Sequence, residues 1–93
     1  MDQHDIQMDL FPNRLQLESR EAARNRFRFY EMVVERDLFG TWCLVRRWGR
    51  IGTRGRARTD LHRSPEEALD SLADLAGRKR RRGYAVRHDK PQA

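Results

Sequence analysis

A single amphipathic helix in the C-terminal part of the sequence is the feature that most limits the possible folds. Ser64 suits the N-cap position, Pro65 suits the first helical position, and Glu67 completes a capping box. The apolar residues that follow recur at helical spacing and form one stripe: Ala68, Leu69, Leu72, Leu75 and Ala76. The cations of residues 78–82 favour the negative end of the helix dipole, and Gly83 can close the helix in a left-handed conformation. The apolar stripe needs another element to pack against.

Strand patterns occupy most of the chain before this helix. Leu15 and Leu17 alternate with polar neighbours and predict a short strand, whereas the polar stretch 18–25 predicts a connection. Residues 26–35 predict a long strand. Its apolar residues change phase, which predicts either a bulge or a strand covered on both sides. Phe27 and Phe29 lie on one face, and the other face carries Tyr30, Met32 and Val34.

The remaining elements complete an α+β domain. In chain order they are a hairpin turn over 36–40, a strand over 41–48, a basic turn with Gly49, Gly52 and Gly55, a strand over 56–62, and a return to the sheet over 84–86. The sequence therefore predicts an antiparallel sheet of about four strands with one helix packed on it.

The length of 93 residues predicts one domain. We expect a flexible N-terminal arm over 1–13, the domain over 14–87 and a disordered tail over 88–93. Cys43 is the only cysteine, which excludes an internal disulfide, and its apolar neighbours predict a buried side chain. The acidic N-terminus is not typical of a signal peptide, and no stretch approaches the roughly 20 apolar residues of a membrane helix. These features favour a cytoplasmic location, and association with the nucleoid stays open.

Charge is distributed unevenly along the chain. Residues 1–45 carry 6 arginines and 8 acidic residues, whereas residues 46–93 carry 14 basic and 6 acidic residues, and the total is +6. A basic half on a small chain favours a polyanionic partner. The alternative is a charged surface that only keeps the protein soluble.

The segment 46–58 contains most of the residues that are suited to binding a ligand. It holds Trp48, three glycines, no acidic residue and six arginines, of which we single out Arg46, Arg47, Arg50, Arg54 and Arg56. Backbone amides in a glycine-rich turn can meet phosphate oxygens, and a tryptophan ring offers a flat face to a sugar or base. The alternatives are that Trp48 belongs to the core and that the glycines serve only the hairpin.

This segment resembles the signature of the WGR domain family. The match is Trp48-Gly49-Arg50-Ile51-Gly52, followed by Thr53 and Gly55. Other marks agree with the family and extend the resemblance over about residues 14–86: Asn25, Phe29-Tyr30, Ala68 and the stretch from Lys79 to Tyr84.

The resemblance implies a role at nucleic acid. WGR domains occur in DNA-dependent poly(ADP-ribose) polymerases and in stand-alone bacterial proteins, and the stretch from Lys79 to Tyr84 resembles the bacterial members. In the polymerases the signature tryptophan packs against the sugar of a terminal nucleotide and the signature arginine contacts DNA. Trp48 and Arg50 are the corresponding residues here, with Gly49 between them. Asn25 and Arg28 resemble positions that hold a terminal phosphate. The polymerases continue into regulatory and catalytic domains that this sequence does not show, so the resemblance does not imply ADP-ribose transfer.

Two functions from different classes follow. The first is a non-catalytic nucleic-acid-binding module for DNA ends, nicks or backbone, with Lys79, Arg80 and Arg81 at the helix end broadening backbone contact. The second is a protein–protein interaction adaptor that uses the basic WGR face. RNA as the nucleic acid, and self-association through a sheet edge, both stay open.

An enzyme is disfavoured. His4, His62 and His88 are scattered, and no cysteine pair or other metal-binding motif is present. Asp70 and Asp74 lie four apart on the helix, where a solvated face explains them best. We therefore expect no metal and no cofactor.

Overall fold

The computed structural model describes residues 13–87 and confirms the α+β class. The elements are β1 (Arg14–Glu21), a 3-10 turn (Ala22–Arg24), β2 (Arg26–Arg36), β3 (Trp42–Arg50), β4 (Arg56–His62), α1 (Pro65–Arg81) and β5 (Ala85–Val86). The antiparallel strands form one sheet in the order β4-β3-β2-β1-β5. The predicted tail lies outside the described residues, as does the predicted arm except for Asn13, whose side-chain and backbone groups both pair with Val34.

β1 is longer than the sequence predicts, because it continues through a stretch that we expected to be a connection. Ser19 lies on the helix side of this strand and is 5% exposed, and its hydroxyl accepts a 2.8 Å hydrogen bond from Arg26. On the other side Arg20 and Glu18 form an ion pair. Hydrogen bonding and ion pairing satisfy these polar side chains, so low hydrophobicity does not end the strand.

β2 contains no bulge within the described pairing. It pairs without interruption with β1 and with β3, so the change of phase reflects a strand covered on both sides and not a bulge. Tyr30, Met32 and Val34 face the helix, whereas Phe29 is buried on the opposite face beneath the Arg47 guanidinium, 4.7 Å from its ring centroid. The strand is therefore covered on both sides at this point.

The predicted turns form at both ends of β3. Asp37 and Gly40 close the β2–β3 hairpin with a backbone hydrogen bond of 3.1 Å, and Leu38 and Phe39 at its tip are exposed. At the other end β3 continues through Gly49 to Arg50, two residues beyond the predicted strand. The sheet also gains β5, so it has five strands where we expected about four.

α1 packs on the sheet through the predicted apolar stripe, except that Leu69 is not buried. Leu69 is 40% exposed and lies at the edge of the stripe. The core comprises residues from the sheet and from one helix face: Leu17, Tyr30, Met32, Val34, Leu44, Ala68, Leu72, Leu75 and Ala76.

Both ends of α1 are capped by specific hydrogen bonds. The Ser64 side chain accepts from the Glu67 amide, as predicted. The Glu67 carboxylate instead accepts from the amide of Arg63, one residue earlier than a capping box requires. At the other end the amides of Gly83 and Tyr84 donate to carbonyls of the last turn in a Schellman arrangement. This closure turns the chain back so that β5 reaches β1.

Candidate nucleic-acid interface

Two connections meet at one end of the sheet. In an antiparallel meander alternate turns share an end, so the β1–β2 connection lies beside the β3–β4 turn. The β2–β3 hairpin tip with Leu38 and Phe39 lies at the opposite end. The first end, which we call the cationic end, carries the Trp48-Gly49-Arg50 segment.

Arg50 is held in place by the β1–β2 connection. Its Nη2 atom donates to the Oδ1 atom of Asn25 at 3.3 Å, and its guanidinium lies 5.5 Å from the ring centroid of Phe27. The amide of Ile51 donates to the Phe27 carbonyl at 2.9 Å. Asn25 takes a left-handed conformation with φ of 54°, which asparagine tolerates better than most residues.

These residues line an open cleft of about 410 Å³. The described residues around it include four arginines and no acid: Arg24, Asn25, Arg26, Phe27, Arg28 and Arg50. Besides Arg50, two of the four have partners in the fold, since Arg24 pairs with Glu21 at 3.7 Å and Arg26 donates to Ser19. A guanidinium suits an oxyanion such as a phosphate, because it can give charge-assisted hydrogen bonds.

Two glycines let backbone segments approach each other closely at the β3–β4 turn. A side chain at Gly49 would place its Cβ atom 2.8 Å from the Cα atom of Gly55. At Gly55, where φ is 71°, a Cβ atom would overlap the Trp48 carbonyl and the Phe29 ring. The glycines therefore satisfy turn geometry, and backbone contact with a ligand stays a prediction.

Trp48 is half-buried on the helix side of the sheet. It lies opposite Tyr30 in the β2–β3 pairing, and the two rings stack with centroids 5.7 Å apart and an angle of 14° between planes. The Tyr30 ring also meets Tyr84 edge-on at 6.3 Å. Trp48 thus lies at the margin of the core, packed on one aromatic ring and partly accessible to solvent.

A cluster of cations surrounds these rings. The Lys79 ammonium lies 4.5 Å from the Tyr30 ring centroid and 5.8 Å from that of Tyr84. Burial lowers the pKa of Lys79, and so do the charges of the surrounding guanidiniums, which belong to Arg82, Arg46, Arg78 and Arg28. Like charges this close repel one another, so a bound anion would relieve the repulsion.

Comparison with known proteins identifies the family. The model of the WGR domain matches residues 13–91. This chain belongs to the WGR family. WGR domains are modules that bind nucleic acid and are typically non-catalytic. The resemblance seen in the sequence is confirmed, and the signature tryptophan and arginine of the WGR domain lie at the cationic end.

A bacterial relative shares the WGR sequence. It is the uncharacterized protein y4dW of Sinorhizobium fredii, which is 42% identical over 81 residues. The match covers 87% of this chain but only 40% of that relative. No solved structure matches the chain significantly.

Two of the arginines predicted to bind nucleic acid are engaged within the WGR fold. Arg46 hydrogen-bonds the Tyr30 hydroxyl at 3.3 Å and forms a 2.8 Å ion pair with Asp60. Arg47 pairs with Glu31 at 2.9 Å, besides covering Phe29. Both side chains therefore have structural roles, and their contact with nucleic acid stays a prediction.

The other predicted cations are distributed over the surface. Arg28, Arg54 and Arg56 are exposed at or next to the cationic end. At the helix end Lys79 faces the aromatic rings, whereas Arg80 and Arg81 are exposed and are not among the charges that shift its pKa.

Sequence reasoning missed Arg26, Arg78 and Arg82. The Arg26 guanidinium lies 5.6 Å from the Tyr84 ring centroid, and the other two crowd Lys79. Helical spacing could have found the helix pair, because positions 78, 79 and 82 continue the stripe that contains Leu75.

The cysteine and the described histidine make contacts within the fold. Cys43 is buried as predicted, and burial, with Asp37 and Glu35 nearby, raises the pKa of its thiol. His62 contacts Glu67 at 3.1 Å, whereas His4 and His88 lie outside the described residues. Within residues 13–87 no group of three His, Cys, Asp or Glu residues could hold a metal ion, and no helix is long and apolar enough to cross a membrane.

Proposed function

We propose that this WGR domain is a non-catalytic module that docks DNA at ends or nicks through its cationic end. The observation that carries the proposal is the cleft that contains Arg50, lined by four arginines and no acid among the described residues. A terminal phosphate carries up to about two negative charges, more than an internal phosphodiester. An end or nick therefore offers the stronger partner for this cleft.

The site is preorganised for such a ligand. Arg50 is already oriented by Asn25 and Phe27, so binding a phosphate costs little further side-chain entropy. Trp48 is oriented by its stack on Tyr30, and its accessible part can pack against the terminal sugar or base. The cations around Lys79 continue the positive surface for the adjoining backbone.

A titration of the 93-residue chain tests the proposal. The ligands are a blunt 5′-phosphorylated duplex, the same sequence with a central nick, and a covalently closed circle, each at two salt concentrations. We expect tighter binding to the first two, with a salt slope of about −0.9 for each phosphate neutralised. Equal affinity per site for all three would contradict end recognition, and the absence of binding at low salt would contradict DNA binding altogether.

A matched pair of variants locates the binding surface. Trp48→Ala removes the ring at the cationic end, whereas Phe39→Ala removes an exposed ring at the opposite end of the sheet. We expect Trp48→Ala to weaken end binding roughly 5- to 150-fold, as for one lost stacking contact, and to weaken circle binding much less. Phe39→Ala should bind as the parent does. Equal losses on both DNA forms would place Trp48 outside the end-binding contact.

The second candidate is a protein–protein interaction adaptor. The cationic cluster around Lys79 favours it as well, because an acidic patch on a protein would relieve the same repulsion. A partner that stays bound to the chain after nuclease treatment, and that competes with the blunt duplex, would favour this function over DNA docking.

A further inference from the structure

β4 forms one edge of the sheet and stands out by its exposure. Its residues from Arg56 to Thr59 are exposed, and β3 is its one partner strand within the described residues. The opposite edge differs, because β5 has only two residues. An exposed edge strand of seven residues is a template for pairing with another chain.

The sequence of β4 complements itself in antiparallel pairing. If Thr59 faces Thr59 of a second copy, Arg58 faces Asp60, Ala57 faces Leu61, and Arg56 faces His62. Directly opposed residues of opposite charge, and opposed threonines, both stabilise an antiparallel pair. The Arg58–Asp60 pair occurs twice because the arrangement is two-fold symmetric, whereas the Thr59 pair lies on the axis and occurs once.

The two faces of β4 each gain from this pairing. On the face away from the helix Leu61 is 67% exposed, and a partner Ala57 would cover it. On the helix side Arg58 and Asp60 already form a 3.0 Å ion pair within one chain, with 66% and 27% of the side chains exposed. The carboxylate would then lie between guanidiniums of both copies.

We infer that β4 pairs with β4 of a second copy about a two-fold axis at Thr59, which joins two five-stranded sheets into one. This inference goes beyond the proposed function and does not depend on nucleic acid. Because the paired strands run in opposite directions, the β3–β4 turns of the two copies lie at opposite ends of the paired strands. The dimer would present its two cationic ends in opposite directions.

Cysteine cross-linking tests the register. Thr59→Cys places two thiols opposite each other, with Cβ atoms about 5 Å apart, and should yield a disulfide dimer under mild oxidation. Ala57→Cys is the matched control, because its two copies lie about 13 Å apart along the strands and should not cross-link. A mixture of Ala57→Cys and Leu61→Cys chains should cross-link. All these variants are made in a Cys43→Ala background, because native Cys43 lies directly opposite Leu61 in the β3–β4 pairing and would compete by forming a disulfide within one chain.

Charge reversal tests the same pairing in solution by sedimentation. The parent chain should be a dimer at submillimolar concentration, and Arg58→Asp or Asp60→Arg alone should weaken it roughly tenfold, because each opposes like charges. Mixing the two variants should restore the dimer. Arg20→Asp is the matched control, since Arg20 forms a similar 2.9 Å pair with Glu18 on β1.

Three outcomes would overturn the inference. They are a monomeric parent chain, a mixture of Arg58→Asp and Asp60→Arg chains that stays monomeric, and equal cross-linking of Thr59→Cys and Ala57→Cys. Circular dichroism checks that each variant folds. Asp60→Arg also removes the ion pair between Asp60 and Arg46. If this variant fails to fold for that reason, the cross-linking experiment alone tests the inference. DNA titration is a separate readout, so failure of the dimer and failure of DNA docking are distinguishable.

Discussion

The Arg50 guanidinium donates a 3.3 Å hydrogen bond to the side-chain oxygen of Asn25, although 25 residues separate the two positions. This bond joins the end of β3 to the turn before β2. It places the signature arginine of the WGR domain in the cleft whose described lining residues include four arginines. The orientation of that guanidinium therefore depends on a residue from a different connection of the sheet.

Replacing Asn25 separates its conformational role from its hydrogen bond. Asn25→Gly accepts the left-handed backbone, so the free energy of unfolding should change by less than about 0.5 kcal/mol. It removes the partner of Arg50, so blunt-end affinity should fall roughly fivefold. Asn25→Ala should lose the same affinity and also about 1 kcal/mol of stability, because alanine is strained at this φ. Urea unfolding and the duplex titration measure the two effects, and unchanged affinity in both variants would contradict the role of this bond.

Gly55→Ala should destabilise the domain strongly. A Cβ atom there would overlap the Trp48 carbonyl and the Phe29 ring, and the positive φ adds strain, so we expect a loss of about 3 kcal/mol or more. Gly52→Ala is the control, because φ is 97° but no atom lies within 4 Å of the added Cβ, and its loss should be about 1 kcal/mol. Equal losses in urea unfolding would show that backbone strain alone determines the effect.

Glu67 should make stability depend on acidic pH. Hydrogen bonds from the Arg63 amide and from His62 lower the pKa of this carboxyl from 4.5. A depressed pKa means that the ionised form stabilises the fold above the unfolded-state pKa, and that this contribution is lost as pH falls through the folded-state pKa. Glu67→Gln should therefore lower the melting temperature at pH 7.

The difference between the parent and Glu67→Gln should shrink as pH falls below about 4.5. Glu66→Gln removes a charge from the same first helical turn and serves as the control for the helix dipole. A Glu67→Gln difference that persisted unchanged at low pH would show that ionisation of Glu67 is not its source.

The helix-end cations should contribute unequally to DNA binding. Arg78 and Arg82 lie close to Lys79 beside the aromatic rings. The double variant Arg78→Gln/Arg82→Gln should therefore reduce the slope of log affinity against log salt by up to about 1.8, the value for two neutralised phosphates. Arg80→Gln/Arg81→Gln removes the same charge from exposed positions and should flatten the slope less. Equal slopes for the two double variants would instead indicate a diffuse electrostatic contribution from the whole helix end.

Local patterns in the sequence were sufficient for most of the elements and for the family. The helix, its N-cap and its closing glycine depend on contacts between residues three to five apart, so their spacing in the sequence predicts them. The hairpin closed by Gly40 and the strand over 56–62 are local in the same sense. The contiguous WGR segment likewise needed no tertiary information to be recognised.

Tertiary structure decided how the charged residues are used. The arginines at or near the cationic end look alike in sequence, yet Arg46 and Arg47 bind carboxylates within the fold while Arg50 is directed to the cleft by Asn25. The polar end of β1 forms a strand because its polar side chains have partners in the folded structure. Ser19 accepts a hydrogen bond from Arg26, and Glu18 pairs with Arg20 and with the distant Arg87. Each of these outcomes depends on pairing between strands. Sequence spacing specifies which face a side chain occupies, but only the assembled sheet determines which charge lies opposite it.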